Sequence, residues 1–558
     1  MSVQPPITPR TPSAPAMRPA SAGPNASGLI APALLEGDKP VDAVVFFKPT
    51  AGAGLESATS RLDAAEQLPL GPERKRAAYE SLRQIGTETL EQHMPLLDGL
   101  KRDGKVSAVD ALWSMNAVRV RGASIDALKT IAGSGVYGIV PDEKLAAPTL
   151  AAPLEDAVHA ATMVPQGKWQ PHKASEPGVL PAGGDDVWMD WGVKKMNAPA
   201  AWQQGITGAG IVIGSLDTGV ITDHPGLARN YRGTRPDGTQ DHNYNLANFV
   251  ETTATQPIDD VGHGTHTLGT AAGYSPNHLV GVAPDAKFVV ARGLGNAGGS
   301  LFGLMSAMEW FMAPTDQKGA NPRPELAPDI VTNSWGGGTT SNPFLFQALR
   351  NWRRAGIVPV FAAGNNRRAN PGEVASPGLH SETITVGATE RDDSRAFFSM
   401  YGPSDYSSDH KPEVTAPGTW TYSTYPDGTY RDTFVVDGKE YPASGTSMAT
   451  PHVAGAMALY MQAHPKAKYD EILSALKGSG VLTNNPTREQ GYGRVQVDKL
   501  IAPDSIDPKA KRATPARVKE LMEQVAKAKV FKENDPLRQP PKLDENGIPI
   551  PPKKARKR

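Results

Sequence analysis

Residues 444–461 read S-G-T-S-M-A-T-P-H-V-A-G-A-M-A-L-Y-M, with Ser447 at the head of an apolar run. The small, glycine-flanked start (Ser444, Gly445, Thr446) and the early Pro451 predict a helix whose first turn holds Ser447. A helix leaves its first amides unpaired, and its N-terminus favours negative charge. A serine exposed there suits acyl transfer, because the backbone N-H of its own turn can bind the oxyanion formed on attack.

Outward from this stretch, strand-like runs alternate with helical ones. I-V-I-G-S-L (211–216), F-V-V-A-R (288–292), D-I-V-T-N (329–333) and V-P-V-F-A-A (358–363) are near-continuous apolar strands. Between them stand helical stretches such as 301–312 and 344–352. This predicts an α/β fold over 188–503, a doubly wound, mostly parallel sheet with helices on both faces. Such sheets bind ligands outside the carboxyl ends of their strands. Asp217 ends the first run, Ser334 and Gly336 follow the third, and Asn365 follows the fourth, so these polar residues are expected at one edge.

His263 lies in D-D-V-G-H-G-T-H (259–266), at the start of a second short helix. In this arrangement Ser447 attacks a carbonyl while His263 takes its proton and later returns it to the leaving amine. Asp217 fixes the imidazole tautomer, and the Asn365 amide joins the Ser447 N-H in an oxyanion hole. Ser334, Trp335 and Gly336 offer an extended edge on which a peptide can pair as an added strand. A protonated imidazole accepts no proton, so activity is expected to fall as pH drops through about 6 to 7.

Other readings of the same residues fare worse. Asp-Thr-Gly also occurs in aspartic proteases, but those need a second such motif, and none is present. His263 and His266 could be metal ligands, yet there is no H-E-x-x-H, and His266 is read as a packing residue. Ser447 is not in G-x-S-x-G because Ala449 occupies the last position, which argues against an α/β-hydrolase.

Before this section, 1–41 is a Pro/Ala-rich leader expected to be disordered, and 42–146 reads as a small α+β domain. In that domain A-V-V-F-F-K, the run from Ala111 to Arg121, and V-Y-G-I-V are strands, with helices over 72–100 and 124–132. Residues 147–187 form a linker, and 504–558 a helical and then basic, Pro-rich tail. Lys+Arg 58 balances Asp+Glu 58, so no global field argues for nucleic acid or membrane partners. The absence of cysteine excludes disulfides, a thiol nucleophile and thiolate metal sites. The N-terminus has no apolar h-region, so a cytoplasmic location or a non-classical export route is expected.

D-T-G (217–219), G-H-G-T-H (262–266), A-A-G-N (362–365) and G-T-S-M-A-T-P-H-V-A-G (445–455) together resemble the subtilisin-like serine proteases, the subtilases. K-P-E-V-T-A-P-G (411–418) and G-V-A-P-D-A (281–286) add to the likeness, which covers about 188 to 500. The resemblance implies a monomeric serine endopeptidase acting on polypeptides. It also implies that 42–146 is a ferredoxin-like propeptide, an intramolecular inhibitor whose end lies in the cleft until cut in the 147–187 linker. No cofactor is required for the chemistry. Structural calcium is possible on surface loops, although 273–281 lacks an acidic ligand cluster.

Overall fold

The computed structural model describes residues 29–37, 39–49, 53–145, 179–180, 186–250, 255–338, 342–366, 373–404, 410–436, 439–482, 489–535 and 538. The expected linker 147–187, apart from 179–180 and 186–187, and the basic end beyond 538 lie outside them.

Two compact units divide the chain, the smaller comprising residues up to 49, 89–111 and 116–141. Its antiparallel sheet orders Ala108–Leu112, Ala117–Ala123, Val41–Phe47 and Val136–Pro141. Val45, Phe47, Val118 and Ile139 build its core with Leu90 and Leu97 of the long helix Pro72–Arg102 and Leu128 of Ile125–Ala132. The succession β-α-β-β-α-β is the ferredoxin-like one. The single strand expected over 111–121 is broken, because Trp113–Met115 forms a 3-10 turn and Asn116 adopts φ 50. Residues 29–35, expected as solvated leader, bury Ile30 and Leu34 in this core.

The larger unit is built on seven parallel strands. Their order is Val414–Pro417, Ile384–Thr389, Val358–Ala362, Ile330–Asn333, Val212–Asp217, Lys287–Arg292 and Leu246–Asn248. Alternation along a strand shows that both faces are covered. Ile213 shares a core with Val453 and Met457 of the helix Thr446–Ala463, while a Cβ on Gly214 would meet Phe311 of the helix Leu301–Met312 at 2.8 Å. The expected doubly wound α/β sheet is therefore present. Its strands start together because the Asp329 carboxylate accepts from Val212 N at 2.9 Å and the Asp329 carbonyl from Val358 N at 2.9 Å.

The helix expected after 504 forms as Pro515–Lys527, with Thr514 as its N-cap, and buries Leu521 in the main core. Beyond it, Lys529–Val530 pairs with Trp188–Met189, and Phe531 stacks on Tyr422 at 4.1 Å. No described helix is long and apolar enough to cross a membrane.

Candidate active site

Asp217 is the last residue of its strand, and the turn after it demands glycine. Gly219 sits at φ +106, and a Cβ there would lie 1.8 Å from the Ile258 carbonyl oxygen. His263 opens the helix His263–Ala272, all ten residues of which are buried. Its Nδ1-H donates to Asp217 Oδ1 at 2.8 Å. Asp217 Oδ1 also accepts from Thr218 N at 2.7 Å, and Oδ2 from Thr267 Oγ1 at 3.5 Å, so the carboxylate is held from both elements.

What fixes the two elements together is Asp259, a residue the motif reading passed over. Its Oδ1 accepts from Thr218 Oγ1 at 2.9 Å, Gly262 N at 2.8 Å and Val261 N at 3.3 Å. Its Oδ2 accepts from Thr265 N at 2.8 Å and Thr265 Oγ1 at 2.6 Å. The carboxylate thus bridges the residue after Asp217 to those flanking His263. Burial pushes its pKa above the ordinary carboxylate value, against the pull of these donors. An acidic residue four before a helix-opening histidine, followed by glycine, is the signal that marks it: a carboxylate set to cap that helix.

Ser447 is the second residue of its helix. Pro451 has no N-H for the Ser447 carbonyl, and Ser334 Oγ donates to that oxygen instead, at 2.8 Å. In return Ser447 Oγ donates to the Ser334 carbonyl at 3.0 Å. His263 Nε2 is buried with no hydrogen-bond partner among the described residues, so serine and histidine are not joined in this conformer. Their helices do pack together, and a Cβ on Gly455 would meet the Ala271 carbonyl at 2.8 Å. The Phe434 ring lies 6.3 Å from that of His263 and belongs to one buried cluster with Met448.

Asn365 Oδ1 accepts from Thr446 N at 2.9 Å and Thr446 Oγ1 at 3.0 Å, which orients the amide. A Cβ built on Gly445 would lie 3.2 Å from Asn365 Nδ2 and 3.6 Å from Ser447 N. Both nitrogens therefore border one small space that the glycine leaves open. The structure turns the Trp335 ring inward, edge-on to Phe361 at 5.3 Å, so its side chain is part of the packing rather than of the surface. A second edge, not foreseen from sequence, is Gly299–Ser300, on which Lys144–Leu145 lies antiparallel. Leu301 N donates to the Glu143 carbonyl at 2.9 Å, and Phe302 N to Asp142 Oδ1 at 2.9 Å.

His266 is engaged by backbone carbonyls. Its Nε2-H donates to the Thr421 and Arg431 carbonyls at 3.1 and 3.3 Å, and burial lowers its pKa to about 3, so it is a neutral packing residue. Among the described residues no three His, Asp or Glu side chains are grouped to hold a metal ion.

The subtilase family model matches residues 208–493. Bacillopeptidase F of Bacillus subtilis (strain 168) is 31% identical over 436 residues, 76% of this chain and 28% of that protein. Subtilisin Savinase of Lederbergia lenta is 33% identical over 313 residues, 56% of this chain and 97% of that protein. Thermitase of Thermoactinomyces vulgaris is 35% identical over 271 residues, 48% of this chain and 81% of that protein. The chain spans under a third of Bacillopeptidase F but nearly all of Savinase, and the residues matched by the family model include Asp217, His263, Asn365 and Ser447. The chain belongs to the subtilase family of subtilisin-like serine peptidases.

Proposed function

We propose that the chain is an endopeptidase that cleaves polypeptides through Asp217, His263 and Ser447, and that it is made as a self-processing zymogen. The observation that carries this reading is the Asp217–His263 hydrogen bond, which leaves Nε2 as the only ring nitrogen able to accept a proton. Ser447 Oγ leaves the Ser334 carbonyl, gives its proton to Nε2 and bonds to the substrate carbonyl carbon. The resulting oxyanion takes hydrogen bonds from Asn365 Nδ2 and Ser447 N in the space beside Gly445. Collapse breaks the C-N bond as the imidazolium protonates the leaving amine. Water, deprotonated by the same nitrogen, then hydrolyses the ester.

Substrate pairs as a strand with Ser334–Gly336 and with Gly299–Ser300. The chain's own Lys144–Leu145 on the second edge supports its preceding segment as a built-in inhibitor and the following linker as the first bond cut. No cofactor enters these steps, and calcium, if bound, is structural. The test is the mass of the purified protein together with fluorophosphonate labelling. Under denaturing conditions wild type is expected to appear as a chain cut in the linker, and in its native form to label, while Ser447→Ala stays full length and unlabelled. A full-length, unlabelled wild type would instead identify a non-catalytic binding module on this scaffold.

A further inference from the structure

The carboxyl edge of the parallel sheet carries the site; its amino-terminal edge carries something else. Residues 50–88 and 112–115 belong to the same compact unit as the peptidase sheet. There the helix Ala53–Gln67 and the first turns of Pro72–Arg102 form a hairpin, and two consecutive basic residues of it are buried, Arg74 at 5% and Lys75 at 4% exposure. Neither is a solvated charge. Arg74 Nη2 and Nε donate to the carbonyls of Arg353 and Arg354 at 2.6 and 3.0 Å, the last turn of the helix Pro343–Ala355. The Arg353 carbonyl also accepts from the C-cap Gly356 N at 3.0 Å, and both carbonyls lie at the negative end of the helix dipole, where a guanidinium is favoured.

Lys75 Nζ donates to the Ala327 carbonyl at 2.8 Å and to Asp329 Oδ1 at 2.6 Å. Asp329 is the residue that ties the starts of three strands, so the lysine is fastened to the frame of the sheet. The landing place is shaped for the hairpin: a Cβ on Gly356 would lie 3.2 Å from Arg74 Cδ and 3.3 Å from Leu70 Cδ2. Leu70 itself packs against the main core. Arg354 adds ion pairs to Asp63 at 3.4 Å and Glu66 at 3.7 Å. Removing Lys75 or Arg74 while the surfaces stay joined leaves Asp329 and the helix end buried against a lost partner, so the contact is weakened by more than the intact pair contributes.

We propose that residues 53–88 are a docking module for the amino-terminal edge of the peptidase sheet, and that this attachment, remote from the cleft, holds the N-terminal region as a bound subunit after the linker is cut. The cutting rests on the processing reading above; the docking surface does not.

The test separates the two. Full-length Ser447→Ala protein, with a recognition site for a sequence-specific protease inserted between Gly167 and Lys168, is cut by that protease, so the chain's own activity plays no part. Failure of the processing reading appears only in the fluorophosphonate experiment. After cutting, the two fragments are expected to co-elute in size exclusion at physiological salt. Arg74→Ala with Lys75→Met is expected to raise the release rate of the N-terminal fragment at least about tenfold, most interface changes acting on dissociation. Arg76→Ala, an exposed neighbour, is expected to leave it unchanged. Asp63→Lys with Glu66→Lys reverses two charges facing Arg354 on the hairpin surface and leaves Arg74 and Lys75 themselves in place, so it decides the matter if the first variant does not fold. Wild-type fragments that separate on the column, release within about twofold of wild type in every folded variant, or equal acceleration by Arg76→Ala would each overturn the proposal.

Discussion

Pro451 and Ser334 show how closely the proposed nucleophile is specified one residue at a time. The proline frees the Ser447 carbonyl, and Ser334 takes it up, so a residue expected only to offer a substrate edge also holds the turn bearing the Ser447 hydroxyl. Ser334→Ala leaves that buried carbonyl unsatisfied and is expected to cost about 1–3 kcal/mol in urea denaturation. Asn365→Ala removes one of two donors around Gly445 and is expected to lower kcat by about 10²–10³ with little change in KM. Asp259→Ala acts differently, because Asp259 touches the turn after Asp217 and the cap of the His263 helix but no reacting atom. Loss of that geometry is expected to lower kcat/KM by about 10²-fold and to slow fluorophosphonate labelling in proportion. A full-rate Asp259→Ala enzyme would show that the helix cap needs no bridge.

Among the elements, the buried helix His263–Ala272 is the one on which the site turns. It lies against the helix Thr446–Ala463, and His266 fastens it to the carbonyls of Thr421 and Arg431. The hairpin of Thr433–Val436 and Lys439–Pro442 supplies Phe434, 4.8 Å from the His266 ring, so this hairpin backs the histidine helix. Gly455 faces Ala271 of the histidine helix and Val282 beyond it, and a Cβ at that position would sit 2.8 Å from the Ala271 carbonyl oxygen and 2.7 Å from Val282 Cβ. Gly455→Val is therefore expected to force the helices apart, lowering Tm and kcat/KM together, with overpacking of about 1–3 kcal/mol. Calorimetry beside kinetics checks the coupling; a stable but inactive variant would mean that the helices hold their spacing by other contacts.

For the molecule as a whole, buried titratable groups set a pH window for stability. Burial raises Glu309 and Glu390 from the ordinary 4.5 to about 7. Their contribution is full below about 4.5 and is lost as pH rises through about 7, up to about 3 kcal/mol each. Burial lowers His266 to about 3 and His380 to about 4 from 6.5. The unfolded chain then binds the extra protons, so stability present above 6.5 is lost as pH falls through those values. The opposed slopes overlap between about 4.5 and 6.5, where Tm is expected to be flattest, with decline on either side. Glu309 accepts from Ser114 N at 2.8 Å, a bond that an amide oxygen can also accept. Glu309→Gln is accordingly expected to raise Tm above pH 7 and leave it nearly unchanged at pH 5; an equal rise at both would assign the alkaline decline to other groups.

Strand and helix periods, the glycine after Asp217, and the proline four residues beyond Ser447 are local properties of the chain, and they were enough for the parallel sheet, its polar edge and the family. The Asp259 bridge, the Lys144–Leu145 strand on Gly299–Ser300 and the burial of Arg74 and Lys75 were decided only by tertiary structure. A run of basic residues at a helix start reads as a solvated face until a distant helix end and a distant carboxylate are placed against it. The physical reason is that periodicity records which side of an element is apolar, whereas hydrogen bonds between residues 41 or 254 positions apart depend on where the sheet brings their backbones.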